Sequence, residues 1–143
     1  MLDRQDLPGH VLSYVARLFA RALVRRIGPH GVNTGQLPVL LVLWEQDGVT
    51  QADLAAKLAV EQPTMAGTLK RLERDGLIKR SPDPDDGRQA HIHLTRRGRL
   101  LEDTLTSAAR DTNVVALQGI SATDTAQLMR TVKRIIANLE QDT

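Results

Sequence analysis

The chain has 143 residues, of which 41% are hydrophobic and 25% charged, and a formal net charge of +2. That profile suits a globular fold built on one main core, with no internal repeats and no low-complexity linker. The absence of cysteine removes disulfides, thiolate chemistry and Cys-ligated zinc, and three aromatic residues are too few for a single-strand stacking platform.

Met1 to Asp6 carry Asp3, Arg4 and Asp6 with no apolar stretch after them, so no secretory leader is expected and a cytoplasmic location is the reading. The richest apolar run, Leu37 to Trp44, is too short to cross a bilayer. Pro8 suits a first helical turn. Val11, Leu12, Val15, Leu18, Phe19, Ala22 and Leu23 then recur at three- and four-residue steps, one apolar face of a first helix that Gly28, Pro29 and Gly31 terminate. Asn33 or Thr34 can cap a second helix burying Leu37, Leu40, Leu41 and Trp44 and leaving at Gly48; Pro38 falls in its first turns.

Thr50 with Asp53 three residues on is a capping-box pattern opening a third helix with Leu54, Ala55 and Leu58. Ala59 to Glu61 form a short break, and a fourth helix runs from about Gln62 to Asp75, stopped by Gly76. Two strand-like runs, Leu77 to Arg80 and Ala90 to Leu94, flank a Ser-Pro-Asp-Pro-Asp-Asp-Gly loop and predict a β-hairpin. Ile92 and Leu94 share one strand face, His91 and His93 the other. Thr95 can cap a long helix reaching about Leu117, with Leu101, Leu105, Ala108 and Ala109 inward. Ser121 with Asp124 opens a last helix carrying Leu128, Val132, Ile135, Ile136 and Leu139.

Two short helices joined by a three-residue break, followed by a hairpin, read as a winged helix-turn-helix. Charge supports a phosphate-binding role: residues 70–99 hold nine Lys or Arg against five acids, whereas residues 31–69 set Lys57 alone against Glu45, Asp47, Asp53 and Glu61. On the fourth helix Met65, Leu69 and Leu72 form the core stripe. Pro63, Gly67, Lys70 and Arg74 lie opposite, flanked by Thr64, Ala66 and Arg71. The DNA-facing set is therefore Gln62, Pro63, Thr64, Gly67, Thr68, Lys70, Arg71 and Arg74. Gln62 and Thr64 are placed to reach base edges, Lys70 and Arg71 to reach phosphates. Arg88 near the hairpin tip is placed for the adjacent minor groove, and Asp85 or Asp86 to pair with an Arg and fix the loop. The alternate pair His91 and His93 has no further ligands apparent, so no metal or other cofactor is expected, and a metal sensor is the weaker alternative. A second alternative is a protein-interaction module that kept this fold and lost DNA affinity. No nucleophile–base grouping and no phosphate-binding Gly-rich loop emerges, so an enzyme is not expected.

Three stretches resemble the MarR/SlyA transcription regulators: Val60-Glu61-Gln62-Pro63-Thr64, Leu72-Glu73-Arg74-Asp75-Gly76-Leu77-Ile78, and Asp86-Gly87-Arg88 with Leu94-Thr95 after five further residues. The last looks like that family's wing signature. The resemblance implies a mainly α winged helix-turn-helix of MarR type over residues 1–143. In it, residues 34–95 form the DNA-binding part, with the helix-turn-helix at about 50–76 and the wing at about 77–95. Residues 1–33 and 96–143 supply dimerisation helices. It further implies a homodimeric repressor of palindromic duplex operators, released by a small phenolic or aromatic acid. Tyr14, Arg17, His30 and Trp44 are the candidate ligand-binding residues. Where members similar to SlyA carry arginine, this chain has Gly67 and Gly87.

Overall fold

The computed structural model describes residues 1–143. Seven helices and one hairpin follow in the order α1 (Pro8–Ile27), α2 (Leu37–Glu45), α3 (Gln51–Leu58), α4 (Gln62–Arg74), β1 (Ile78–Pro82), β2 (Ala90–Leu94), α5 (Arg96–Leu100), α6 (Glu102–Ala116) and α7 (Ala122–Glu140). Short 3-10 turns precede α1 and follow it. The expected mainly helical winged architecture is present, and no helix is long and apolar enough to cross a membrane.

Local chemistry sets most boundaries. Thr50 Oγ1 accepts the Asp53 amide at 3.1 Å while Asp53 Oδ2 accepts the Thr50 amide at 3.2 Å, a complete capping box for α3. The Thr50 backbone N–H is the main reason the Asp53 carboxyl is held below its ordinary pKa. Ala59 ends α3 in the left-handed region (φ 52°), turning the chain into α4, and Gly76 (φ 75°) ends the next turn after α4. Ser121 Oγ accepts the Asp124 amide at 3.1 Å and starts α7. The long helix expected from Thr95 is interrupted at Leu101, so α5 and α6 are separate segments.

The core lies where α2, α3, α4 and the hairpin meet. Leu40, Leu43, Leu54, Met65, Leu69, Leu72, Leu77, Ile78 and Ile92 are all essentially inaccessible there, and Ile27 and Leu105 extend the cluster toward α1 and α6. α2 differs from expectation in which side it buries. Val39 and Leu43 join Leu37 and Leu40 inside, while Leu41 is exposed and Trp44 only partly buried. Trp44 Nε1 donates to the Gly98 carbonyl at 3.0 Å, anchoring α2 to α5.

β1 and β2 pair antiparallel, with Arg80 opposite Ile92 and Ser81 opposite His91. A third short segment joins them. The Gly48 amide donates to Ile92 O at 2.9 Å and the Ile92 amide to Val49 O at 2.8 Å, and Thr50 bridges His91. The residue that caps α3 is thereby tied directly to the wing.

Candidate nucleic-acid interface

α4 turns Met65, Thr68, Leu69 and Leu72 into the core. Gln62, Pro63, Thr64, Lys70, Arg71 and Arg74 are exposed, and Gly67 is half-buried among them. Thr68 is a correction. At 9% exposure it belongs to the core side, because it lies three residues after Met65 and four before Leu72, on their stripe. Gly67, Lys70, Arg71 and Arg74 line one shallow groove along the outer face of the helix. Arg74 also pairs with Asp75 at 3.3 Å. Pro63 in the first turn costs no helical hydrogen bond, since the amides there are unpaired in any helix.

A second hollow of about 300 Å³ opens between α3, the start of α4 and the wing, lined by Thr50, Gln51, Ala52, Gln62, Arg80 and Arg88 together with Gln89 and Ala90. The structure thus brings the first residue of α4 and the wing arginine to one place. The Arg88 side chain is 93% exposed, and its only anchor is Asp86 Oδ1, which accepts both Arg88 Nε at 3.2 Å and the Arg88 amide at 3.0 Å. This is the expected acid–arginine pairing. It leaves the terminal guanidinium nitrogens free to donate.

The wing loop depends on Asp83, which the sequence did not single out, and on His91, which it presented only as one of an alternate histidine pair. Asp83 Oδ1 accepts the Asp85 and Asp86 amides at 2.8 and 3.1 Å, and Asp83 Oδ2 meets His91 Nε2 at 2.8 Å. His91 Nδ1 meets the Gly48 carbonyl at 2.7 Å. A neutral imidazole has one N–H, so only the doubly protonated ring satisfies both acceptors. Accordingly the Asp83 carboxylate, and after it the Gly48 carbonyl, raises the His91 pKa. The His91 ring, and after it the Asp85 amide, lowers that of Asp83. His93 Nε2 lies 3.1 Å from Ser81 Oγ. The two histidines share a face, but no group of three or more His, Asp or Glu is placed to hold a metal ion.

The sign of the pH dependence follows. A raised histidine pKa means that its contribution is full below the ordinary value of about 6.5 and is lost as pH rises through the folded value. A lowered Asp83 pKa means that its contribution is lost as pH falls through that lowered value. The loop is held between these limits. Imidazole NMR of the folded protein is expected to show His91 titrating above 6.5, with the Asp85 and Asp86 amides losing protection at the same midpoint. A His91 midpoint at or below 6.5 contradicts the bridge.

The four candidate ligand residues are not gathered within one chain. Arg17 stacks its guanidinium 5.9 Å from the Tyr14 ring centroid, and Tyr14 lines a small hollow with Arg4, Gln5, His10 and Val11. His30 is exposed at the end of the turn after α1, and the Trp44 indole N–H is committed to Gly98.

The family model for "MarR family" matches residues 32–90, the span that contains α2 to the start of β2. The chain belongs to the MarR family. Its relatives are regulators of transcription and not enzymes. This MarR-family chain is 38% identical over 87 residues to the HTH-type transcriptional regulator TtmR of Methylorubrum extorquens, a match covering 61% of this chain and 45% of TtmR. The crystal structure of a probable transcriptional regulator from Pseudomonas aeruginosa is 31% identical and superposes with a TM-score of 0.86, covering 93% of this chain and 99% of the other. CouR from Rhodococcus jostii RHA1, solved bound to p-coumaroyl-CoA, is 26% identical with a TM-score of 0.83, covering 94% and 95%.

Proposed function

We propose that this MarR-family protein represses transcription as a homodimer that sets two α4 helices into successive major grooves of a palindromic duplex and two wings into the flanking minor grooves. The observation that carries the reading is the juxtaposition of Gln62, at the start of α4, with Arg88 of the wing around one open hollow, continued by the basic groove of Lys70, Arg71 and Arg74. Residues 34–95 make the DNA-binding part and residues 1–33 and 96–143 the dimerisation part.

The dimer is supported by what the single chain leaves uncovered. Only 22 of 143 residues are buried, and α7 contributes none of them, although Leu128, Met129, Ile136 and Leu139 are each 44–65% exposed. Val15, Leu18, Phe19 and Ala22 of α1 and Thr112, Val115 and Ala116 of α6 line a further apolar groove. A second copy packing on these faces removes them from water, at about 25 cal/mol per Å² of apolar area. Two recognition helices then sit about 34 Å apart. Response to an aromatic ligand is supported by the likeness to CouR, whose bound p-coumaroyl-CoA is an aromatic acyl thioester, and a free aromatic acid is suited by the cationic Arg17 beside Tyr14.

Selection of bound duplex fragments from the organism's own DNA, repeated with phenolic acids, tests the reading. Enriched palindromes with about one turn between half-site centres are expected, and no enrichment over random duplex refutes it. Sedimentation is expected to give a dimer at micromolar concentration; a folded monomer there sinks the dimer.

A further inference from the structure

Gln62 is one end of a four-residue polar chain whose direction is set by chemistry. Glu73 Oε2 of α4 lies 3.7 Å from Arg80 Nε of β1. Arg80 Nη1 donates to Gln51 Oε1 at 3.4 Å, and Gln51 Nε2 donates to Gln62 Oε1 at 3.4 Å. The bonds are long, but their order admits no reversal. A guanidinium has donors only, so Gln51 must present its oxygen to Arg80 and its amide N–H₂ to Gln62. Gln62 must in turn present its oxygen to Gln51, which leaves its own N–H₂ outward.

We propose that this chain makes Gln62 present its amide donors to the major groove, selecting bases that present acceptors there. The inference rests on the DNA-binding reading above and adds the base class that the site prefers. An unconstrained glutamine pairs with adenine through both amide atoms, accepting from N6 and donating to N7. With its oxygen turned toward Gln51, Gln62 offers the groove its N–H₂ side, although the oxygen keeps a second lone pair. Guanine offers N7 and O6, and thymine offers O4, whereas cytosine offers only its N4 donor and adenine sets its N6 donor beside N7. The base read by Gln62 is therefore a keto base, guanine or thymine, in preference to an amino base. Gln51 and Arg80 are positioning residues that touch no base in this scheme.

The test is position-resolved selection from a randomised duplex library with the full chain and three variants. The parent is expected to show about tenfold preference for guanine or thymine over adenine or cytosine at one position of each half-site. Gln62→Ala should flatten that position alone, which identifies it. Gln51→Glu should invert it. Glutamate accepts from Arg80 but has no N–H₂ for Gln62, so the Gln62 amide turns over and exposes its oxygen to the amino bases. Glutamate at the first turn of α3 also suits the helix N-terminus, and unchanged circular dichroism melting is expected to show that the fold is kept. Gln51→Ala should reduce the preference without inverting it. Adenine preference in the parent, or an unchanged preference in Gln51→Glu, overturns the proposal while leaving DNA binding intact. Absence of duplex binding by the parent overturns the DNA-binding reading itself, and this inference with it.

Discussion

Gly98→Ala is expected to destabilise the protein by about 3 kcal/mol or more, since among the glycines it alone would set a methyl inside 3.0 Å of a neighbour. A Cβ at Gly98 meets the Leu77 carbonyl oxygen at 2.3 Å and Leu94 Cδ2 at 3.1 Å. The neighbour in the way is backbone, and it is already fixed. Leu77 O accepts the Thr95 amide at 3.0 Å, Thr95 Oγ1 donates to Gly76 O at 2.6 Å, and the Gly98 amide donates to Thr95 Oγ1 at 3.1 Å. Relief requires moving α5 away from the wing, which also stretches the bond from Trp44 to Gly98 O. The same methyl at Gly67 meets nothing nearer than Arg71 Nη2 at 3.9 Å. There alanine should add about 0.5–1 kcal/mol of stability through helix propensity alone. Urea titrations of the two variants should therefore move in opposite directions. A Gly98→Ala midpoint indistinguishable from the parent's shows that the α5–wing junction is looser than this geometry. Because α5 contacts both β2 and α6, the proposed function predicts that the variant also loses operator affinity at temperatures where it remains folded.

That junction marks where the sequence stops being legible. Features written in neighbouring residues are readable from it: the Thr50/Asp53 capping box, the Gly76 terminator and the Ser121 cap each involve groups at most four positions apart. The alternation that buries Ile92 and Leu94 is equally local. α2 is apolar on every side, so periodicity has no contrast with which to choose Val39 and Leu43 over Leu41. The burial of Thr68 is written in its spacing from Met65 and Leu72, which places it inside despite its polar side chain. The wing network is different in kind. His91 finds partners eight and 43 residues away, and Gly98 is required by the Leu77 carbonyl 21 residues earlier, distances that no local pattern encodes. The candidate site divides in the same way. The outward face of α4 and Arg88 are legible, whereas Gln51 and Arg80 enter only once α3 and β1 are seen to flank Gln62.

Arg88→Ala is expected to weaken operator binding by about 1–3 kcal/mol per site while leaving the melting temperature within about a degree. Stability should be spared because the side chain is almost wholly exposed and its one ion pair, with Asp86, is of the surface kind that contributes little to folding. The binding loss should be large for its size. Asp83 and Asp86 hold the loop through backbone amides, so the arginine projects from a fixed base and little ordering entropy opposes its entry into a narrow groove. Lys70→Ala should behave differently, since an ammonium on the outer face of α4 serves phosphates. It should weaken operator and random duplex alike and lower the slope of log K against log salt by about one. Arg88→Ala should also discriminate by sequence, its loss greatest where A·T pairs narrow the minor groove beside the half-site. Fluorescence anisotropy of both variants on operator and random duplex, at four salt concentrations, separates these outcomes. If Arg88→Ala titrates like the parent at every salt concentration, the wing tip stays in solvent, and specificity must then come from the first turn of α4 alone.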